Sequence, residues 1–575
     1  MVPEWCVTYL GPTNAINNSF CRMVQDTSSE TSYLDSLPDH IICYILSFVD
    51  QNDVYSVRQV CKRFTRLANE TIRRVQWNLS NNVDIQRAVQ MFPMLEGLRV
   101  VSENALLGWL NSLQELPRLM SVSLKGVLLE KRDMLALSAL KQLRCLECED
   151  VEFCESISDA HVDMNHVETL RIVDCREMCH LDMVHICNDF NGLRELSLQG
   201  MELSDQMLTY IGSLDLRFLN VSGSFGFTSA GLGMLKSGGL KSLLVSACRN
   251  LDDSMCRTIV DVAPGLEVLG IFENDVSAVG LGYLSKLSQL KVLDCGYIDG
   301  DFSSADLESL ILRCKMLEVL NISGVTAVCD RIMRALSSCK YLKRLDVSEC
   351  AGIHKAGFQS IAHLKSLEEL SVGWNGKLTN DSLRYIPEGV EILDLSYASK
   401  ISDAGLQHLR RLGNLRVLKL HYCHGIRDHG LDHIAQCHSL THLDVGLTRL
   451  SSKGFAKLHG LQHLYHLDMR GCVFGSTVLG LASLCRIRSL KSLSLSGNHG
   501  VDDGCLQAIS FHSGLRTIHM RQCRKVSDHG ILALARMKCL ERVDITGCSR
   551  VTRHAIEKLS RQGVMVTMSD STTFV

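Results

Sequence analysis

The 575-residue sequence predicts an α/β solenoid, with parallel strands inside and helices outside, preceded by a small all-α module. Three observations predict it. A six-residue frame, apolar-x-x-apolar-x-apolar, recurs 19 times between Leu95 and Leu540 at intervals of 23 to 27 residues. Variants of "SDxGL" follow many of these frames, as in "VSDHGILALARM", "LSDQMLTYIG", "ISDAGLQHLR" and "IRDHGLDHIA". Residues 34 to 80 break the repeat and carry apolar residues at helical spacing instead.

Composition narrows the function classes. Acidic and basic residues number 63 and 60, so no global field draws the chain to nucleic acid or an anionic membrane, and neither is expected as a partner. No stretch approaches the ~20 apolar residues of a membrane span, and the start lacks a basic region followed by an apolar one. The chain is therefore read as soluble and intracellular, cytoplasmic with the nucleus left open. Its 25 cysteines, an odd number scattered along a long chain, fit a reducing compartment and buried thiols better than a disulfide framework.

Residues 1–33 are polar and mixed, and are expected to form a flexible extension. In the module that follows, Pro38 suits a first helical turn, where its missing N–H costs nothing. Ile41, Ile42, Ile45, Leu46 and Val49 then make an apolar helical stripe. Asn52 or Asp53 opens a second helix carrying Val54, Val57, Val60, Cys61 and Phe64. So short a segment holds little core, so docking on a partner or on the solenoid should stabilise it.

Between 81 and 563 each frame reads as one short strand, its fourth and sixth residues sharing the inward face. A turn and a helix-like stretch follow. Ser527 or Asp528 can cap the first helical turn of "VSDHGILALARM", with Ile531, Leu532 and Leu534 on the apolar side. One unit cannot bury its own apolar face, whereas stacked units share a continuous core. Residues 564–575 are read as a terminal strand and tail, whose Thr-x-Val ending is of a form that PDZ domains accept but that arises often by chance.

The cysteines fall into the same frame. Eight residues after the frame start lies a column of Cys175, Cys248, Cys350, Cys423, Cys472, Cys523 and Cys548, shared with Asn274, Asn375, Asn498, Ser224 and Thr448. Such a column selects small groups that bond buried loop backbone. Three residues before the frame stand Cys314, Cys339 and Cys437. "CLEC" at 145–148 has ligand spacing, but the strand turns Cys148 inward and Cys145 outward, and "CREMCH" offers Cys175, Cys179 and His180 without a second knuckle. No metal is expected.

These columns resemble the cysteine-containing class of leucine-rich repeats, whose pattern runs C-x-x-L-x-x-L-x-L-x-x-C and then I-T-D-x-G-L. The resemblance implies a curved horseshoe. The segment before it resembles the F-box, through Leu37, Pro38, Ile41, Ile42, Ile45, Leu46, Asp53, Val54, Val60, Cys61, Lys62 and Phe64, with Trp77 at the place of the family's late tryptophan. His40 stands where the family usually has Glu, and Phe64 where it usually has Trp. What the two resemblances imply together is a non-catalytic substrate receptor of an SCF-type cullin-RING ubiquitin ligase. Its helices would dock the Skp adaptor, and through it the cullin, and the repeat arc would hold the substrate protein. The alternative is a scaffold without ubiquitin function, such as a stable subunit of a cytoskeletal or axonemal assembly.

A partner would meet the strand residues that point away from the core. The fourth place, counted as four residues after the frame start, carries Asp294, Asp346, Asp394, Asp444, Asp468 and Asp544, an acidic track interrupted by Arg344, Lys419, Arg470, Arg521 and Arg542. Phe218, Phe272, Tyr297, Trp374, Tyr397 and Tyr422 lie on or beside it, and Trp374 and Tyr422 are the preferred contacts. His442, Asp444, His466 and Asp468 fall on adjacent strands, a set read as ordinary surface although two imidazoles and two carboxylates can ligate a cation. No phosphate loop, H-E-x-x-H helix or converging Ser-His-Asp set appears, so no catalytic residue and no cofactor is expected.

Overall fold

The computed structural model describes residues 74–79, 92, 94–102, 109–129, 131–153, 162–175, 180–235, 238–248, 251–472, 478–569 and 572–574. All ten residues expected to contact an adaptor, Leu37, Pro38, Ile41, Ile42, Ile45, Leu46, Val54, Val60, Cys61 and Phe64, lie outside them.

Contacts divide the chain into two units, 1–265 and 266–575. In the first, Arg74–Leu79, Gly97–Ser102, Ser121–Lys125, Cys145–Glu149, Thr169–Val173, Glu195–Gln199, Phe218–Asn220 and Ser242–Leu244 pair in that order, each parallel to the next. In the second, parallel strands run from Val268–Gly270 to Arg542–Asp544 and then Met565–Ser569, with Thr572–Phe574 folding back antiparallel. Helices such as Asp330–Leu336 and Lys355–Ser360 connect successive strands and pack on one another. This is a leucine-rich-repeat solenoid.

Every frame placed by sequence coincides with a strand, because its fourth and sixth residues, Leu345 and Val347 for example, are buried to 3% exposure or less. A strand ahead of the first frame was not anticipated. Arg74–Leu79 pairs in register with Gly97–Ser102, setting Val75 opposite Leu98 and Trp77 opposite Val100. "IRRVQW" from Ile72 is therefore a further copy of the frame, and the repeat sheet begins before the boundary expected at residue 81. Trp77 belongs to this ladder, not to the end of a helical module.

A local side-chain bond accompanies many of the short strands, although those with Leu244, Gly270, Ser371, Lys419, Ser494 or His519 at the fourth place also stop after three residues. The strands with Ser123, Glu147, Arg171 and Ser197 at the fourth place run five residues. Those with Asp or Asn there, including Asn220, Asp346 and Asp394, stop after three. In the latter the side-chain oxygen accepts the N–H two residues on, as Asp346 does from Ser348 at 2.9 Å and Asp394 from Ser396 at 2.9 Å. That bond offers the backbone an alternative to the ladder and starts the turn.

The column of small polar residues satisfies the turn from inside. Cys350 Sγ donates to the Ile322 carbonyl of the preceding repeat at 3.3 Å, Cys423 to Leu395 at 3.1 Å and Cys548 to Met520 at 3.0 Å. Asn375 Nδ2 serves the same acceptor place, Val347 O at 2.8 Å, and adds Val372 O at 3.1 Å. Burial pushes the Cys350 thiol up to about 12, so it is neither a nucleophile nor a ready ligand. Among the described residues no group of His, Cys, Asp or Glu can hold a metal ion, and no helix is long and apolar enough to cross a membrane.

The helix-opening motif divides its labour between repeats. Ser527 caps its own helix, while the Asp528 carboxylate reaches forward and accepts the Thr552 N–H at 2.7 Å and hydroxyl at 2.6 Å. Asp403 accepts Arg427 N–H, and Asp503 accepts the N–H of Ser527, in the same way, each at 2.7 Å. The glycine of the motif lets the carboxylate approach: a Cβ on Gly430 would stand 2.7 Å from Asp403 Oδ1, and one on Gly530 2.6 Å from Asp503 Oδ1. Of the apolar residues expected to face inward in this helix, Ile531 and Leu534 are buried and Leu532 is only partly so.

Candidate interaction site

Immediately before the Cys/Asn column, the seventh residue after the frame start takes a left-handed conformation in every copy from Leu119 onward. Glycine occupies it at Gly126, Gly200, Gly223, Gly324, Gly471, Gly497 and Gly547. Other copies hold non-glycine residues at φ between 51° and 60°, among them Tyr297, Glu349, Trp374, Tyr397, Tyr422 and Leu447. A side chain there costs roughly 1–2 kcal/mol against the hard-sphere preferences of the backbone, so large rings at this place are not the choice of local propensity.

In the second unit these residues form one row. Glu349 N–H donates to the Gly373 carbonyl at 3.0 Å, Trp374 to Ser396 at 2.9 Å, Tyr397 to His421 at 2.7 Å and Tyr422 to Gly446 at 2.8 Å. Each rung is thus fixed to the next at a parallel-strand spacing of ~4.8 Å, close to the thickness of stacked aromatic rings. Trp374 and Tyr397 stack with centroids 3.7 Å apart and planes 14° from parallel. Tyr397 and Tyr422 continue the stack at 4.8 Å and 22°, and His424 closes it at 4.2 Å from Tyr422. Trp374 remains 54% exposed and Tyr422 42%.

The stack joins Trp374, Tyr397 and Tyr422, all expected from sequence as contacts. Asp394 and Lys419 lie on the adjoining strands and pair with each other at 3.4 Å. The other expected residues are used differently. Asp444 accepts Gly446 N–H at 2.8 Å and lies 3.5 Å from His421, and Asp468 is 3% exposed with its carboxylate taken by Arg470. His466 Nδ1 meets Ser492 Oγ at 2.8 Å, and burial, with His466 and Arg416 nearby, pushes His442 down to about 4. The acidic track is thus in large part a row of turn-forming carboxylates.

Glu349 was missed, as were His421 and His424. The signal was present: Glu349 occupies the same seventh place as Tyr297 and Trp374. Tyr297 lies over Gly324, where a Cβ would meet its ring carbons at 2.5 Å and 2.6 Å. Burial, then the Glu349 carboxylate beside it, pushes the Tyr297 hydroxyl up to about 12. Phe272 supports the ring edge-on at 5.4 Å.

The first unit presents charge at comparable strand places. Arg171 pairs with Glu147 at 2.8 Å, and Glu149 with Arg99 at 3.1 Å.

Residues 34–74 match the family model described as F-box-like. With the repeats, this defines the class: the chain is an F-box/leucine-rich-repeat protein. It is 26% identical over 238 residues to a transport inhibitor response 1-like protein of Oryza sativa subsp. japonica, covering 39% of this chain and 36% of the relative. It is 24% identical over 243 residues to a Caenorhabditis elegans protein named for RNA binding, covering 42% and 27%. The chain therefore spans little more than a third of the first of these curated relatives and less of the second. Among solved structures, the mouse RP105/MD-1 complex aligns with a TM-score of 0.43 at 16% identity, over 76% of this chain and 77% of that one. An internalin of Listeria monocytogenes aligns at 0.38 and 18%, over 63% and 88%.

Proposed function

We propose that the protein is the substrate-recognition subunit of an SCF-type cullin-RING ubiquitin ligase, without catalytic activity of its own and acting in the cytoplasm. Residues 37–64 dock the Skp adaptor and so the cullin, and the second unit holds a substrate protein on the aromatic row. One observation carries the reading: an F-box-like segment at 34–74 stands ahead of a repeat sheet that displays an exposed three-ring stack. Exposed aromatic groups on a rigid backbone are typical anchors of protein partners. The near balance of charge, −3 overall, gives no support to a nucleic-acid partner.

The test is affinity purification of the tagged full chain beside a Leu37→Ala/Pro38→Ala/Ile45→Ala variant. Recovery of a Skp adaptor and a cullin by the wild type only, with the remaining partners retained by both, supports the receptor. Recovery of the adaptor by neither form rejects it in favour of a scaffold that fractionates with its assembly.

A further inference from the structure

We propose that the rung of Glu349, beside the outer face of Trp374, binds the guanidinium group of an arginine in the partner protein. This rests on the reading of the aromatic row as the substrate surface and adds the chemistry of what it takes.

The row is occupied unevenly. Tyr422, Tyr397 and Trp374 fill three consecutive rungs, and each ring uses a face to stack on its neighbour. The stack ends at Trp374, because the next rung holds Glu349 in place of a ring. With one face against Tyr397, Trp374 is still 54% exposed, so ring surface remains available at the end of the stack where the next rung begins. Two rungs further, Gly324 carries no side chain and the Tyr297 ring lies across it, bringing its hydroxyl beside Glu349. The result is a slot with an indole wall, a carboxylate within it and a tyrosine on the far side.

Three properties select the occupant. A rung of ~4.8 Å accommodates a flat group stacked on the indole, as the neighbouring rungs accommodate Tyr397 and Tyr422. Indole is the strongest aromatic partner for a cation. The carboxylate supplies the opposite charge and can accept guanidinium N–H bonds. Neighbouring basic groups are committed elsewhere: Arg344 to Glu369 at 3.3 Å and Lys419 to Asp394 at 3.4 Å. Asp346 ends the strand of the same repeat, where its carboxylate accepts the Ser348 N–H at 2.9 Å, so no basic group of that strand end competes for Glu349. A phosphate backbone is repelled by the same groups, and a lysine ammonium satisfies the charge but not the stacking.

The test uses the full chain and the peptide acetyl-Gly-Gly-Arg-Gly-Gly-amide, with lysine and citrulline counterparts, followed by saturation-transfer NMR. Saturable binding of the arginine peptide is expected, about tenfold weaker for lysine and for citrulline, where stacking or charge is missing. Trp374→Ala should abolish it, and Glu349→Gln, which keeps size and backbone, should weaken it about tenfold. Absence of saturable arginine binding at millimolar concentration, equal binding of the citrulline or lysine peptide, or indifference to both substitutions each overturns the proposal. Skp recovery by the wild type separates the two readings: adaptor recovered without saturable arginine binding defeats the arginine slot alone, whereas adaptor not recovered defeats the receptor and leaves the peptide result to decide the slot.

Discussion

At the residue scale, the cysteine column shows how one weak donor can be structural. Cys350→Ala removes the donor to the Ile322 carbonyl and should cost about 1–3 kcal/mol, the penalty of a buried polar group left unmade. Cys350→Ser should recover most of it. Asn375→Ala removes two such bonds and should cost more; hydrogen exchange of the flanking repeats measures both, since an array of this length need not unfold in one step. Alkylation of the native protein at neutral pH should leave Cys350 and Cys423 unmodified, both held up at about 12 by burial, and mass spectrometry of the labelled chain would show a reactive thiol at either place.

Histidine titration gives a second residue-scale prediction. His512 is buried, its Nε2 meeting the Ile487 carbonyl at 3.0 Å and its Nδ1 accepting Gly514 N–H at 3.0 Å, so a second ring proton has no place. Burial lowers His466 and His512 from the usual 6.5 and takes His442 to about 4. Their unfolded forms therefore bind more protons as pH falls through 6.5, and stability drops between there and about pH 4. Thermal denaturation at pH 7.5 and pH 5 should show the lower midpoint at pH 5, with the difference reduced in His512→Gln. Glu349→Gly separates strain from binding in the same manner: it relieves a left-handed side chain and should raise stability by about 0.5–1 kcal/mol, while removing the carboxylate of the slot.

At the element scale, the helix starts are coupled. The Asp of the "SDxGL" motif holds the N–H of the residue that leads into the next repeat's helix, as Asp403 does for Arg427 and Asp528 for Thr552, which makes its glycine a requirement of approach: Gly430 lies at negative φ, yet an added Cβ collides with the Asp403 carboxylate. Gly430→Ala should destabilise by about 1–3 kcal/mol, the usual cost of overpacking. Combining it with Asp403→Ala, which removes the nearer of two obstacles and leaves Leu406 Cδ1 at 2.8 Å, should cost less than the sum of the two single changes, a double-mutant cycle readable by hydrogen exchange. The strand positions were legible because period-two burial repeats at every copy. The division of the cap between two repeats was not, because Ser527 and Asp528 are adjacent and either can cap a helix by type.

At the scale of the whole molecule, the strand Arg542–Asp544 is covered by the strands that follow it. Met565–Ser569 extends the second unit in parallel, and Thr572–Phe574 then turns back on it. Deleting residues 565–575 should expose the edge of Arg542–Asp544 and cause concentration-dependent association, visible by light scattering.

The sequence by itself determined the repeat: its frame, its buried leucines and the structural role of its thiols, because each depends on spacing along one chain and is restated in copy after copy. It also carried the F-box resemblance and named Trp374, Tyr397 and Tyr422. Only the tertiary structure decided what the seventh place does. That residue's left-handed backbone and its bond to the next repeat arise from packing between turns, so the ring stack, the vacant rung at Glu349 and the withdrawal of Asp468 from the surface come from residues about 25 positions apart in sequence that stacking makes neighbours. The strand at Arg74–Leu79 escaped notice for a related reason: its frame lies within a segment of helical pattern, and only pairing with Gly97–Ser102 distinguishes it.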